Sequence, residues 1–149
     1  MNHMNRSMPS STVIPVLGYT DVREAVAWLC NAFGFVERLR IGDHRAQLAF
    51  GDGSVVVAGL PETTSEAKAG TESALMTPRA AFSVMVRVPD IESHFSRATE
   101  AGANVLSPPT DYLYGERQYT VFDIGGHVWT FSQTIANVDP ATWGGKLFV

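Results

Sequence analysis

Between Tyr112 and Gln133 the chain gathers the side chains best suited to contact a small molecule: Tyr112 and Tyr114, then Glu116, Gln118 and Thr120 at alternate positions, then Thr130 and Ser132. A period of two puts Glu116, Gln118 and Thr120 on one face of a strand and Arg117, Tyr119 and Val121 on the other. On the next strand His127, Trp129 and Phe131 form a bulky face suited to packing beneath helices, which leaves Val128, Thr130 and Ser132 on the opposite face. A few placed polar groups on such a face can orient a ligand, and the two tyrosines ahead of it are the aromatics expected to lie over that ligand. Reactive chemistry is harder to find. His127 follows a glycine turn, and its parity predicts a structural hydrogen bond. His94 and His44 read as surface residues, and Glu116 with Arg117 reads equally well as surface ion pairing. Trp28 and Trp129 read as packing residues. No nucleophile stands beside a base, no two carboxylates form an acid–base pair, and the turns Gly51-Asp52-Gly53 and Gly125-Gly126 are too short for a phosphate loop.

The elements that must position these residues form a pattern written twice. An apolar strand leads to Tyr19-Thr20-Asp21 or Val88-Pro89-Asp90, then to an amphipathic helix, then to three strands separated by glycine turns. In the first helix Asp21 offers an N-cap, Val22, Ala25, Val26, Leu29, Cys30 and Phe33 recur at helical spacing, and Gly34 ends it. Strands are expected over residues 12–17, 35–41, 44–50 and 54–58. In the second unit Val84, Val86 and Val88 alternate with Ser83, Met85 and Arg87, then Ile91, Phe95, Ala98 and Ala101 mark the helix. Its further strands are expected at 105–106, 116–122 and 127–133, with Pro108-Pro109 in a long loop. The organisation is thus a disordered start (1–11), a first βαβββ module (12–58), a linker (59–80), a second module (81–133) and a tail (134–149).

Composition narrows the classes of partner. The chain has 149 residues, 45% hydrophobic and 17% charged, which suits one globular α+β domain whose two halves share a core. A net charge of −4 without basic runs argues against nucleic acid and anionic lipid. Cys30 is the single cysteine, read as a buried structural thiol, so neither an internal disulfide nor a thiolate zinc site is expected. No apolar run reaches the roughly 18 residues of a membrane helix, and residues 1–10 lack the apolar segment of a signal peptide. The expectation is a cytoplasmic protein.

The doubled βαβββ unit, with Tyr114-Gly-Glu-Arg-Gln-Tyr-Thr-Val-Phe-Asp-Ile-Gly-Gly-His-Val-Trp-Thr-Phe131 closing the second copy, resembles the vicinal oxygen chelate superfamily of glyoxalases, bleomycin-resistance proteins and extradiol dioxygenases. The resemblance spans residues 13–133 and rests most on the Asp123-Ile-Gly-Gly-His127 turn. It implies half-barrel sheets covered outside by helices, with a pocket on the concave faces. Enzymes of this kind hold a divalent metal through His and Glu on the first and last strands of each unit. Here those positions fall on Ile14, Val57, Ser83 and Thr130, none of which is a histidine or a carboxylate, and a one-residue slip in register supplies none. No metal and no cofactor is therefore expected. The ligand face implied consists of Ile14, Val57, Ser83, Met85, Tyr112, Tyr114, Glu116, Gln118, Thr120 and Thr130, with Arg87 on the same parity. The preferred reading is a bleomycin-resistance-like protein that sequesters a small aromatic or amphipathic molecule. The alternatives are a lyase, isomerase or dioxygenase of the same superfamily, and an orphan fold that binds a protein. A homodimer is expected, because open sheet edges need a partner and the tail carries Trp143, Leu147 and Phe148 with no place in the repeat.

Overall fold

Both units start their helices with the same device. Asp21 accepts from the Glu24 backbone N–H at 3.0 Å, and Asp90 accepts from that of Ser93 at 3.2 Å, so each aspartate satisfies a donor the helix cannot pair internally. The computed structural model describes residues 4–60 and 81–148. In order these form β1 (Val16–Tyr19), α1 (Val22–Phe33), β2 (Val36–Ile41), β3 (Arg45–Phe50) and β4 (Gly53–Gly59), then β5 (Val84–Arg87), α2 (Ile91–Glu100), β6 (Asn104–Tyr112), β7 (Glu116–Phe122) and β8 (Val128–Thr134). A short 3-10 helix, Pro140–Trp143, follows in the tail.

The strands make two four-stranded sheets, ordered β1-β4-β3-β2 and β5-β8-β7-β6, and neither closes into a barrel. The first strand of each unit runs parallel to the last, Leu17 beside Val57 and Met85 beside Thr130, and the other pairs are antiparallel. This is the α+β architecture of two βαβββ modules that the repeat predicts. One face of each sheet joins both helices in a single core, in which Leu17, Leu48, Val57, Tyr119, Val121, Trp129 and Phe131 are buried. Phe33, at the end of α1, sits with its ring 4.7 Å from Phe131 and 5.3 Å from Trp129, so the first unit reaches the second through aromatic packing.

Polar links fasten the same seam. The last turn of α1 contains no basic residue, and α2 supplies the missing donors. Arg97 donates to the carbonyls of Asn31 at 2.7 Å and Cys30 at 3.1 Å, and His94 Nε2 donates to that of Phe33 at 2.8 Å. His94 is thus a buried helix-capping residue rather than a surface one; its neighbours Ser93 and Ser96 masked a position that lies on the core side of α2. A carbonyl can only accept, so Nε2 carries the proton and Nδ1 accepts from the Tyr119 hydroxyl at 2.5 Å.

Three other expectations change. β1 starts at Val16, just after Pro15, which has no backbone N–H to give the ladder and contributes only its carbonyl, accepting from Val56 N–H at 2.8 Å. β6 runs straight through Pro108-Pro109: it is an edge strand with two register irregularities, where a missing N–H costs no ladder bond. Residues 5–11 are not frayed but strap the outward face of the first sheet, since Arg38 and Gln47 there offer donors to backbone carbonyls. Of the expected linker, Gly59 completes β4, and residues 61–80 lie outside the described residues. Cys30 packs half-buried against the core.

Candidate functional site

Cross-strand register sets out the open face of the second sheet row by row. Tyr112, Glu116 and Thr134 stand opposite one another, then Thr110, Gln118, Ser132 and Arg87, then Ser107, Thr120, Thr130 and Met85. The intervening Tyr119 and Val121 point the other way and are fully buried, which fixes the orientation of Glu116, Gln118 and Thr120. The rows are tied together by side-chain hydrogen bonds. Ser132 Oγ donates to Glu116 Oε1 at 2.5 Å and Thr134 Oγ1 donates to Oε2 at 2.6 Å. Gln118 Nε2 donates to Ser132 Oγ at 3.0 Å, the Tyr114 hydroxyl donates to Gln118 Oε1 at 3.3 Å, and Thr120 and Thr130 share a bond of 2.9 Å.

Aromatic rings border this ladder. Tyr112 and Tyr114 stack with centroids 5.5 Å apart, and Trp143 of the tail lies 5.3 Å from Tyr114. On the far side a hollow of about 350 Å³ is lined by Arg87, Val88, Pro89, Gln133 and Thr134. Desolvation would raise the Glu116 pKa, but the hydroxyls of Ser132 and Thr134 and the charge of Arg87 outweigh it and hold the carboxyl below its ordinary value. Glu116 is therefore an ionised, fully engaged acceptor. It does not pair with Arg117, whose Nε meets Asp111 at 2.5 Å on the opposite side of the strand.

Seven of the ten expected ligand residues come together on this face: Met85, Tyr112, Tyr114, Glu116, Gln118, Thr120 and Thr130. Ser83 is exposed one residue ahead of β5, with the parity of Met85. Ile14 and Val57 belong elsewhere. Ile14 is half-buried before β1 in the first unit, and Val57 is completely buried against the helices, because the pairing of Leu17 with Val57 puts both in the core and leaves Val56 facing out. Sequence reasoning missed two residues of this face. Thr134 lay just beyond the expected strand, and Trp143 lies outside the repeat and had no periodic signal.

The Asp123-Ile-Gly-Gly-His127 turn is not part of this face. Asp123, 5% exposed, takes four donors: the Tyr19 hydroxyl at 2.5 Å, Trp129 Nε1 at 2.9 Å, and the backbone N–H of Gly125 at 2.8 Å and of His127 at 2.9 Å. His127 Nε2 donates to the Gly18 carbonyl at 2.8 Å, the structural bond its parity predicts. A Cβ on Gly125 would lie 2.6 Å from the Tyr19 ring, so this turn needs glycine for close approach. Burial, and then the charge of Asp123, push the Tyr19 phenol far above its usual pKa, which keeps it a donor.

The family's sequence signature, that of the Glyoxalase/Bleomycin resistance protein/Dioxygenase superfamily, matches residues 10–131. The chain belongs to this superfamily. Among solved structures, TioX from Micromonospora sp. ML1 is 37% identical, with a TM-score of 0.65 over 84% of this chain and 99% of that one. UcmS2 is 15% identical at a TM-score of 0.65 over 84% and 98%, a likeness of fold alone. The uncharacterized protein Mb0911c of Mycobacterium bovis is 36% identical over 56 residues, 38% of this chain, and the match spans 37% of that relative's length. A divalent metal in such a fold needs several nitrogen or anionic oxygen donors converging on one point. Here Ile14, Ser83 and Thr130 supply none that is charged, Val57 is in the core, and among the described residues no three of His, Cys, Asp and Glu stand close enough to share an ion. The donor set does not fit a metal. No helix among the described residues is long and apolar enough to cross a membrane.

Proposed function

We propose that this superfamily member binds a small aromatic or amphipathic molecule on the open face of its second sheet, without metal, and sequesters it rather than turning it over. The observation that carries this reading is the ladder of Glu116, Ser132, Gln118, Thr120 and Thr130 beside the rings of Tyr112, Tyr114 and Trp143. A flat ring stacks on the tyrosines while its polar substituents meet an amide and hydroxyls, the mixture of apolar wall and few polar anchors that small-molecule sites use. Turnover is the weaker reading. Glu116, the carboxylate of this face, has both oxygens engaged and a lowered pKa, which makes it a poor proton acceptor. A second copy of the chain would wall the face and cover exposed Met85, at 62%, so we take the binding species to be a homodimer, acting in the cytoplasm.

Elemental analysis with a ligand thermal-shift screen tests this. Aromatic amphiphiles should raise the Tm of the metal-free protein, and Tyr114→Ala or Gln118→Leu should abolish the shift without lowering the Tm of the free protein by more than a few degrees. One tightly held metal per chain, or a shift untouched by either substitution, overturns the reading.

A further inference from the structure

Most polar groups on the open face of the second sheet already engage one another. Glu116 accepts from the hydroxyls of Ser132 and Thr134, Thr120 and Thr130 share one bond, and Gln118 gives one N–H to Ser132. Arg87 is different. Register places it beside Ser132, in the row of Gln118, and its guanidinium offers a fork of N–H donors and no acceptor. Among the described residues the ion pairs join Arg23 and Arg40 to Glu37 and Arg117 to Asp111, and Arg87 enters none of them.

Arg87 also lines the hollow of about 350 Å³, and its neighbours there leave the polar role to it. Val88 and Pro89 bring no side-chain donor, Gln133 Oε1 accepts from Ile91 N–H at 2.9 Å, and the Thr134 hydroxyl gives its proton to Glu116. Two negative charges lie near. Asp90 is turned to its own helix through Ser93 N–H, and Glu116 stands two strands away with both oxygens occupied, so the nearer guanidinium decides the sign of the hollow. Three inter-strand steps, roughly 14 Å, separate β5, which carries Arg87, from β6, which carries Tyr112. The cation and the stacked tyrosines thus stand at opposite margins of one face. A planar guanidinium fork matches a carboxylate best, through two parallel N–H bonds.

We propose that the molecule taken up on the second sheet is an aromatic carboxylate longer than a single ring, with its acid group seated in the hollow against Arg87 and its far ring on Tyr114. This deepens the function proposed above and rests on it: the tyrosines decide that an aromatic amphiphile binds, and Arg87 decides which one. A neutral analogue of the same shape loses the charge-assisted bonds, and a cationic one meets repulsion, so discrimination has both an attractive and a repulsive part.

The test titrates the full, metal-free chain by calorimetry at low salt with three probes of one shape: biphenyl carboxylate, the corresponding amide, and biphenylmethylammonium. The acid should bind roughly threefold to tenfold more tightly than the amide, with the ammonium weakest, and the preference should shrink as salt is added. Arg87 is exposed, so Arg87→Gln should leave the fold and the affinity for the amide intact while erasing the preference. Arg117→Gln, which removes a cation on the opposite side of the neighbouring strand, should leave the preference unchanged. Equal binding of acid and amide by the parent protein overturns the inference, as does a preference that survives Arg87→Gln; in both cases the rings still bind and the reading of the face stands. A preference lost in Arg117→Gln as well marks general charge attraction and overturns it too. If none of the three probes binds, the inference falls together with the reading beneath it.

Discussion

Tyr19 and Asp123 come from different units, 104 residues apart, and their hydrogen bond offers the sharpest test of how the two halves are joined. Tyr19→Phe removes one of four donors from a carboxylate that is 5% exposed, while the ring keeps its T-shaped contact with His127 at 4.8 Å. Hydrogen bonds to charged groups contribute roughly 1.5–3 kcal/mol, against about 1 kcal/mol for neutral pairs. At about 2–4 °C per kcal/mol for a chain of this size, the Tm should fall by roughly 3–12 °C. Tyr119→Phe breaks a neutral bond to His94 instead and should cost about 1 kcal/mol. Asp123→Ala strands both the Tyr19 hydroxyl and the fully buried Trp129 indole, at about 1–3 kcal/mol each, and so should cost more than Tyr19→Phe. Urea unfolding followed by circular dichroism gives all three values, and the double variant gives the coupling. A Tyr19→Phe loss within about 0.5 kcal/mol would refute the claim that this buried bond couples the units.

Acid should loosen the seam between the helices. Desolvation, together with nearby Arg97, lowers the His94 pKa in the fold from an ordinary value of 6.5, so the unfolded chain takes up the proton first. That stability is complete above the unfolded value and is lost as pH falls below it toward the folded one; melting curves between pH 7 and pH 5 should show the loss, and His94→Gln should flatten it. Gly115→Ala should cost roughly 1–3 kcal/mol, because Gly115 has a φ of +87° and a Cβ there would lie 2.3 Å from the Ala136 carbonyl oxygen; a variant as stable as the parent in urea would contradict this. Light scattering should give twice the mass of one chain, and deleting residues 138–149, with exposed Leu147 and Phe148, should weaken that association; a single-chain mass in the intact protein would refute the dimer.

Much of the fold was legible because the repeat carries its own punctuation: Asp21 and Asp90 cap, and glycine turns follow at matching places. Parity also oriented β7 and β8, since Tyr119, Trp129 and Phe131 are too large to face anywhere but the core. Reading from sequence failed at Val57, a position carried over from the resemblance, because β4 reads Val55-Val56-Val57 and three like residues give no phase; the register against β1 alone decides which of them faces in. It failed also at His94, because a capping role toward α1 depends on a neighbour 61 residues away. Pro108-Pro109 misled for the complementary reason: proline forbids a central strand, and the position of β6 at the sheet edge is tertiary information.

The two open faces show how a doubled unit can diverge without altering its core. Both sheets turn large apolar residues toward the helices, so the constraint of packing acts alike on Leu48 and Tyr119 or on Val57 and Phe131. The outward positions are free of that constraint. In the first sheet they became Val16, Val36, Val56 and Gln47, partly covered by residues 5–11; in the second they became Glu116, Gln118, Thr120, Thr130 and Ser132, left open beside two tyrosines. An apolar face exposed to water invites association, and a strap over it limits that cost, whereas hydroxyls and amides already paired with one another tolerate water. The face that can stay open in the free protein is thus the polar one, and it is there that a ligand meets the least competition.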